Sequence, residues 1–443
     1  MGDRLLAEVD GQSPGAQAEV FLIESESRVS EWSEGLSENL VAASTRGMAL
    51  RLVRDGRLGF SYSNNFEPAG AAEIVRGAVT ASQFTTADAL LEVPSAPGKM
   101  PGVDLQLVDS SLAETPWEER RAFLSSIEPQ VKKRDKRLTK VLRAAYREGR
   151  AASAVMNTRG VSTASDGTHV SFSLACVAVE AGETQIGYGF QAARHYRDLN
   201  PDWVLDQAVE HTLSLLGGRQ VPSGRYDLIL DPQVAAEMLE LLATALRGDQ
   251  VQKGRSFFAA KVGQQVGADC LTLVDDGRLL KGLGSSPFDA EGLPTQTTVL
   301  IKEGILQGFL YDSYTARKAG RASTGNAGRS SYKGMPEPEA TNFFLKAGHQ
   351  TPQNLVSGVQ SGLYIRGVMG LHTVDTVSGD FSLGIMGERI EKGRRTHGVR
   401  GVTIAGNLLD LLKSVVAVGS DLTFFGSVGS PTLWISNVSV GGN

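Results

Sequence analysis

Glycine is the residue that most limits what this chain can fold into, since 51 glycines stand against 16 prolines in 443 residues. Glycines in that number supply turns and strand bends, and they predict a β-rich protein. Hydrophobic residues make up 41% and charged residues 21%, a composition typical of folded proteins rather than disordered ones. A chain of this length exceeds one ordinary core, so we expect two domains.

The first half of the chain contains both alternating patterns typical of strands and spacings typical of helices. Segment 48–63 predicts a hairpin around Asp55-Gly56, and helical spacing is found in 67–84 and after Pro116. Near 217–224 a cluster of Gly and Pro predicts a boundary, with domains at 1–220 and 221–443. We predict an α+β protein, with a mixed α/β N-terminal domain and a C-terminal domain made of a large curved antiparallel β-sheet with few helices.

Charge and cysteine content limit the class of partner. The net charge is −5 and the isoelectric point about 5.8, which disfavours nucleic-acid binding. One basic run, Val131–Lys140, is more typical of a solvated helix end than of a DNA-binding patch. No apolar run is long enough for a membrane span, and two cysteines, Cys176 and Cys270, fit buried thiols in a reducing compartment. We therefore expect a cytoplasmic protein that binds neither nucleic acid nor membrane.

Segment 230–258 has the frame of a metal-binding helix but no histidine or cysteine. Asp231 is a good N-cap, Pro232 suits the first helical position, and Gly248 suits the end. Only Glu237 and Glu240 could ligate a metal, and both lie opposite the apolar stripe. Two carboxylates without imidazole make a poor zinc site, so a solvated helix face is the favoured interpretation.

The residues after this helix carry a resemblance to a known family. Gly248, Asp249, Val251, Gly254 and Ser256 match the G-D-x-V-x-x-G-x-S block of the TldD/PmbA family, whose members were once labelled modulators of DNA gyrase. Peptidase subunits of that family carry H-E-x-x-x-H on the preceding helix. Counted back without a gap, this window falls on a degenerate site formed by Leu239, Glu240 and Thr244, in which only the glutamate is kept.

Other blocks extend the resemblance over most of the chain in the family's order. They are "FDAEGLPTQTTVLIKEGILQGFLYDSYTARKAG" (288–320), "STGNAGR" (323–329), "SGDFSLGIMGERIEKG" (378–393), "IAGNLLDLL" and the terminal "PTLWISNVSVGG". Several spaced blocks in one order are far more specific than any single motif.

The resemblance also implies where a third metal ligand would lie. The peptidase subunits carry a cysteine between their V-G-x-D-L and P-T-L blocks; here Val418–Leu422 and Pro431–Leu433 are joined only by "TFFGSVGS". With no ligand kept, the chain resembles the PmbA (TldE) branch, which implies no metal, no cofactor and no catalytic residue of its own. The expected role is that of the non-metallated subunit of a TldD/TldE-type metallopeptidase complex. Its partner would be a TldD-like paralogue or a second copy, and its substrate a peptide or an unfolded segment.

Two alternatives stay open. The chain could be a stand-alone homodimeric peptide-binding protein, for which the polar loop 323–334 offers Asn326 and Arg329 as candidate peptide contacts. It could also be a hydrolase with an unrecognised site, built from distant histidines such as His372 and His397. Histidines scattered in this way more often lie in the core or on the surface than in a catalytic site.

Overall fold

The first half of the chain forms one long-stranded sheet. A computed structural model describes residues 1–96, 98 and 102–443. The strands of the first sheet are β1 (Gln17–Ser33), β2 (Leu36–Arg54), β3 (Arg57–Ser63), β4 (Leu138–Asn157), β5 (Ser162–Glu180) and β6 (Glu183–Ala193). They lie in the order β3-β2-β1-β4-β5-β6, and every neighbouring pair is antiparallel. The predicted hairpin is confirmed, since Asp55 and Gly56 have φ of 52° and 69°.

Helices cover this sheet in two groups. They are α1 (Gly2–Gln12), α2 (Pro68–Ser82), α3 (Ser111–Glu114), α4 (Trp117–Arg134) and α5 (Pro201–Ser214), with a 3₁₀ turn at Tyr196–Asp198. Helices α1 and α2 enclose one core with β1 and β2, around Val20 and Leu50. Helices α4 and α5 enclose a second core with β4 and β5, around Tyr146 and Phe172. The sheet face between the two groups holds exposed charged residues such as Glu24 and Arg28.

The second half contains three further sheets. Its strands are β7 (Gly224–Leu230), β8 (Leu273–Asp276), β9 (Thr297–Lys302), β10 (Ile305–Leu306), β11 (Ala327–Gly328), β12 (Glu337–Pro338), β13 (Phe343–Leu345), β14 (Ser361–Met369), β15 (Asp380–Glu391), β16 (Arg394–Asn407), β17 (Val415–Val418), β18 (Thr423–Phe425), β19 (Val428–Ser430) and β20 (Leu433–Gly441). The orders are β16-β15-β14-β7-β20-β17, β10-β9-β8-β13-β19-β18 and β11-β12. Most pairs are antiparallel, but β7 with β14 and β13 with β19 are parallel.

Helices are short in this half and α6 is the longest within the described residues. They are α6 (Pro232–Ala245), α7 (Gly248–Gln252), α8 (Ser313–Lys318), α9 (Pro352–Gly358) and α10 (Leu408–Lys413), with a 3₁₀ turn at Leu371–Thr373. Helix α6 packs between the two six-stranded sheets, contacting β14 on one side and β13, β18 and β19 on the other. Its apolar residues join a single large core. The α+β class predicted from the sequence is confirmed.

The predicted boundary at residue 220/221 falls between α5 and β7. Strands before it pair only within 17–193, and strands after it only within 224–441, among the described residues. Whether each side is an independent domain stays a prediction. Within the described part of the chain, no helix combines the length and the apolarity needed to cross a membrane.

Acidic residues surround the one basic run of the sequence. Arg134 binds Asp202 and Asp206, Lys132 binds Glu128, and Lys140 binds Glu34. These ion pairs neutralise much of the charge that a phosphate backbone would need. They support the interpretation of this run as a solvated helix end.

Candidate functional site

Helix α6 is placed by the strand before it. Strand β7 lies between β14 and β20 and ends at Leu230, and the Asp231 side chain then caps the helix by accepting a hydrogen bond from the Gln233 N–H at 3.1 Å. Pro232 occupies the first helical position. Both start signals were predicted from the sequence, and both are confirmed.

The three positions of the degenerate site do not share one face of α6. The Leu239 side chain is buried, with 3% of the residue exposed, and it packs in the large core. Glu240 and Thr244 are exposed on the other side of α6. A leucine, a threonine hydroxyl and a single carboxylate do not supply the nitrogen and sulfur donors typical of protein zinc sites. The residues present at these positions therefore do not fit a catalytic zinc ion.

A small cavity of about 220 Å³ opens over the exposed face of α6. It is lined by Tyr188, Phe190, Gln233, Ala236, Glu237, Glu240 and Phe425. Partial desolvation in the cavity raises the pKa of both the Glu237 and the Glu240 carboxyl, although Gln233 donates a hydrogen bond to Glu237 at 3.1 Å. The aromatic wall can hold an apolar side chain, and the carboxyls can accept hydrogen bonds from N–H groups.

A tight hairpin stands where the resemblance implies the cysteine-bearing connection. Strands β18 and β19 pair antiparallel through a turn in which Gly426 has φ of 74°. The hairpin packs against α6, and its Phe425 ring lines the cavity beside Glu240. An aromatic ring therefore occupies this side of α6, and it can pack but cannot ligate a metal.

The G-D-x-V-x-x-G-x-S block fixes the end of α6. The helix ends at Ala245, and Gly248 begins the short helix α7 instead of stopping α6 as the sequence predicts. Gly248 lies against Tyr311, where an added Cβ would come within 2.4 Å of the ring. The Ser256 hydroxyl donates to the Ala245 carbonyl at 2.5 Å, satisfying an acceptor that the helix end leaves open. The block therefore stabilises the end of α6 in the absence of any metal.

Asn326 and Arg329 are both buried in contacts within the chain. Asn326 donates to Asp275 Oδ2 at 2.7 Å and to the Glu339 carbonyl at 3.0 Å. Arg329 donates to Glu19 Oε1 at 2.6 Å, and its side chain is 2% exposed. As placed here, these side chains join parts of the chain to one another, and their role in peptide binding stays a prediction.

A larger cavity of about 550 Å³ lies at the N-terminal end of α6, and sequence reasoning missed it. Its charged centre is Arg366, whose side chain is 5% exposed and binds Asp231, Glu210 and Glu388. The guanidinium also lies 4.7 Å from the Tyr364 ring centre. His211 lines the same cavity, and burial lowers the pKa of its imidazole. These residues come from remote positions on four elements, so no local motif could have revealed them.

The histidines weighed from the sequence do not meet at a site. His372 lies in the 3₁₀ turn before β15 and His397 on β16, and both are exposed. Within residues 1–96, 98 and 102–443, no three His, Cys, Asp or Glu residues come together in a way that could hold a metal ion.

Comparison with known proteins covers nearly the whole chain. Profiles of the PmbA/TldA metallopeptidase match as domain 1 at residues 18–82, the central domain at 111–216 and the C-terminal domain at 223–442. The metalloprotease PmbA of Escherichia coli O157:H7 is 27% identical over 98% of this chain and 93% of its own length. A metalloprotease TldD homologue of Haemophilus influenzae is 30% identical over 90% of this chain and 87% of its own length.

Solved structures share the same architecture. A Thermotoga maritima protein, whose name links it to modulation of DNA gyrase, superposes with a TM-score of 0.91 at 25% identity, covering 99% of both chains. TldE from Thermococcus kodakarensis superposes with a TM-score of 0.91 and the same coverage at 22% identity, which shows the shared fold. These matches define the class of protein, a chain built on a metallopeptidase scaffold. It belongs to the PmbA/TldD metallopeptidase family, and the resemblance inferred from the sequence blocks is confirmed.

Proposed function

We propose that this chain is the non-metallated, PmbA/TldE-like subunit of a TldD/TldE-type metallopeptidase complex. The observation that carries the proposal is the α6 helix, where Leu239 is buried in the core and Thr244 stands at the second histidine position. A chain that keeps the family fold but lacks the metal ligands is best explained as a subunit that contributes its surface to a complex. The partner would be a TldD-like paralogue that provides zinc, and the substrate a peptide or an unfolded segment.

Several features support the remaining parts of this proposal. The cavity over α6 has aromatic walls and carboxyls, which suit an extended peptide better than a charged cofactor. Cys176 is a buried free thiol, whereas Cys270 is an exposed one, so the expectation of two buried thiols is wrong for Cys270. Two free thiols suit a cytoplasmic location. In isolation the chain would associate with itself, because a family scaffold that keeps its interface can form a symmetric pair.

The test measures metal content and cleavage together, on the same preparations. The chain is purified alone, with a TldD-like paralogue, and with a paralogue whose motif histidines are replaced by alanine. We expect less than about 0.1 zinc per chain and no cleavage of an unfolded peptide by the chain alone. We expect zinc and cleavage only with the intact paralogue, and the histidine variant serves as the matched control.

Two outcomes would replace this proposal by its alternatives. Peptide binding by the chain alone, with no association with any paralogue, would favour a stand-alone homodimeric peptide-binding protein. About one metal per chain and chelator-sensitive cleavage by the chain alone would favour a hydrolase with an unrecognised site.

A further inference from the structure

The cavity around Arg366, at the N-terminal end of α6, has the size of a ligand site. Its volume of about 550 Å³ lies within the range of roughly 300–1,000 Å³ that is typical of such sites. The rings of Trp203 and Tyr364 give it apolar walls. Pro232 lines this cavity, and the next residue of α6, Gln233, lines the smaller cavity over the exposed face of the helix. A ligand that enters at the N-terminal end can therefore continue along α6.

The carboxylates of this cavity already have donors within the chain. Each of the three that line it accepts hydrogen bonds from neighbouring side chains: Asp231 from Arg366 and Tyr364, Glu210 from Arg366 and Arg395, and Asp421 from Thr432. Ion pairs with arginine also neutralise the charge of Asp231 and Glu210. These acids therefore attract a cationic ligand only weakly.

Two arginines at the rim of the cavity keep unused donors. Arg394 and Arg395 begin β16, and both line the cavity. Arg394 is exposed, and its guanidinium makes no ion pair within the described residues. Arg395 binds Glu210 at 3.0 Å and Glu388 at 3.3 Å, in both cases through Nη1, which leaves Nε and Nη2 for a ligand. The planar fork of a guanidinium matches the two oxygens of a carboxylate, so this rim can bind one.

His211 presents an acceptor to the same cavity. The residue is 6% exposed, and its Nδ1 lies 2.9 Å from the Tyr188 carbonyl oxygen. A carbonyl oxygen can only accept, so Nδ1 carries the hydrogen, and Nε2 of the neutral ring carries the lone pair. Burial lowers the pKa of this imidazole and so favours the neutral ring. Since Nε2 makes no hydrogen bond within the described part of the chain, a ligand that fits brings an N–H as well as a carboxylate.

We propose that this cavity binds the C-terminal residue of a peptide. Arg394 and Arg395 bind its α-carboxylate, and Nε2 of His211 accepts the hydrogen bond of its backbone N–H. The aromatic walls hold its side chain, and the preceding residues follow the exposed face of α6. The choice of a peptide as the ligand rests on the proposed function, for which the inference names the end of the peptide that this chain holds.

Changes in the peptide test this recognition. Isothermal titration calorimetry on the full chain compares three N-acetylated pentapeptides of the same sequence. The first has a free C-terminal carboxylate, the second has a C-terminal amide, and the third has a free carboxylate but a methylated last peptide nitrogen. We expect the second and third to bind at least about tenfold more weakly than the first, because each loses a hydrogen bond to a charged or buried partner.

Changes at the rim test the carboxylate contact. Arg394→Gln should weaken binding of the first peptide about tenfold and leave binding of the amide peptide unchanged. Lys392→Gln is the matched control, because it removes the same charge from the same hairpin at a residue that does not line the cavity. The control should bind the first peptide within about twofold of the parent.

A change at His211 tests the second contact. His211→Asn keeps an amide near the position of Nδ1 but removes Nε2. It should weaken binding of the first peptide about tenfold and abolish the difference between the first peptide and the N-methylated one. Circular dichroism of each variant confirms that the chain stays folded.

Four results would overturn the inference. They are no binding of the first peptide at about 1 mM, equal affinity for the carboxylate and the amide, equal losses from Arg394→Gln and Lys392→Gln, and displacement of the peptide by acetate at the peptide's own dissociation constant. Acetate has a carboxylate but no N–H, so the last result would reveal a general anion site. Metal content and partner-dependent cleavage are separate measurements. A zinc-bearing chain that binds C-termini removes the proposed function alone, and a zinc-free subunit that ignores them removes this inference alone.

Discussion

Leu239 and Thr244 stand five residues apart on α6, which places them about 500° apart around an ideal helix. Leu239 enters the core and Thr244 faces outward. Two histidines at these positions would need helix bending or long reach to meet one ion. An apolar residue at position 239 therefore serves the packing of the core. A metal-ligating histidine at this position would remove that apolar contact.

Restoring the histidines should not restore catalysis. The double variant Leu239→His/Thr244→His should bind zinc weakly and cleave no unfolded peptide, because the β18–β19 hairpin offers no third ligand. Loss of the buried leucine should lower the free energy of unfolding by about 1–3 kcal/mol. Thr244→His alone is the control and should stay within about 0.5 kcal/mol of the parent, since Thr244 is exposed. Tight one-to-one zinc binding with turnover would show that a third ligand already faces α6.

At the scale of the element, Asp275 fastens strand β8 to its neighbours. Its carboxylate accepts hydrogen bonds from Asn326 Nδ2 at 2.7 Å, from the Thr341 N–H at 2.6 Å and from the Thr341 hydroxyl at 2.8 Å. Burial raises the pKa of Asp275 to about 6, and these hydrogen bonds offset only part of the effect. The loop that contains Asn326 is thus held by a carboxyl that titrates in a moderately acidic range.

This shift predicts a pH-dependent stability. The folded-state pKa of Asp275 lies above the unfolded value of about 3.9. Protonated Asp275 therefore stabilises the fold fully below about pH 3.9, and this stabilisation is lost as pH rises through about 6. Between pH 4 and pH 7 the parent should lose up to about 3 kcal/mol relative to Asp275→Asn, which does not titrate. Urea unfolding at several pH values measures this difference. Asp276→Asn, at the next and less buried residue, is the control, and equal slopes for the parent and Asp275→Asn would contradict the prediction.

Sequence patterns predicted some elements and missed others for physical reasons. The α2 helix and the Asp55-Gly56 hairpin were predicted because their spacing and turn chemistry are local. Helix α1 was missed because it depends on packing, with little besides Leu5 and Val9 buried. Helix α5 was also missed, although its signals were present, since Asn200 caps it by accepting from the Trp203 N–H and Pro201 opens it.

The candidate site was likewise predicted only in part from the sequence. The start of α6 and the absence of donors at the motif positions follow from sequence order. The cavity around Arg366 does not, because Glu210, Asp231 and Glu388 meet there only after α5, β7, β14 and β15 have packed. Burial of Arg329 is equally invisible in the sequence, where a glycine-rich loop with an arginine is typical of an exposed contact.

At the scale of the whole molecule, a buried ion cluster joins the two halves. Arg51 on β2 binds Glu19 at 2.6 Å and Glu291 of the second half at 2.8 Å, with 7% of its side chain exposed. Arg329 binds Glu19 from the second half at 2.6 Å. Burial raises the pKa of Glu291, but the charge of Arg51 and hydrogen bonds from Ser313 outweigh burial and hold that pKa below its usual value.

Removing Arg51 should therefore weaken the connection between the halves. Arg51→Ala leaves Glu291 buried without its cation and Glu19 with Arg329 alone, and we expect a loss of about 3–5 kcal/mol in the free energy of unfolding. The loss should be smaller at pH 5 than at pH 8, because Glu291, left buried without its cation, has a raised pKa in the folded variant and gains a proton as pH falls. Arg54→Ala, at a half-exposed arginine of the same strand, is the control and should cost less than about 0.5 kcal/mol. A loss at Arg51 as small as the control's would mean that the packed surfaces, and not this ion cluster, hold the halves together.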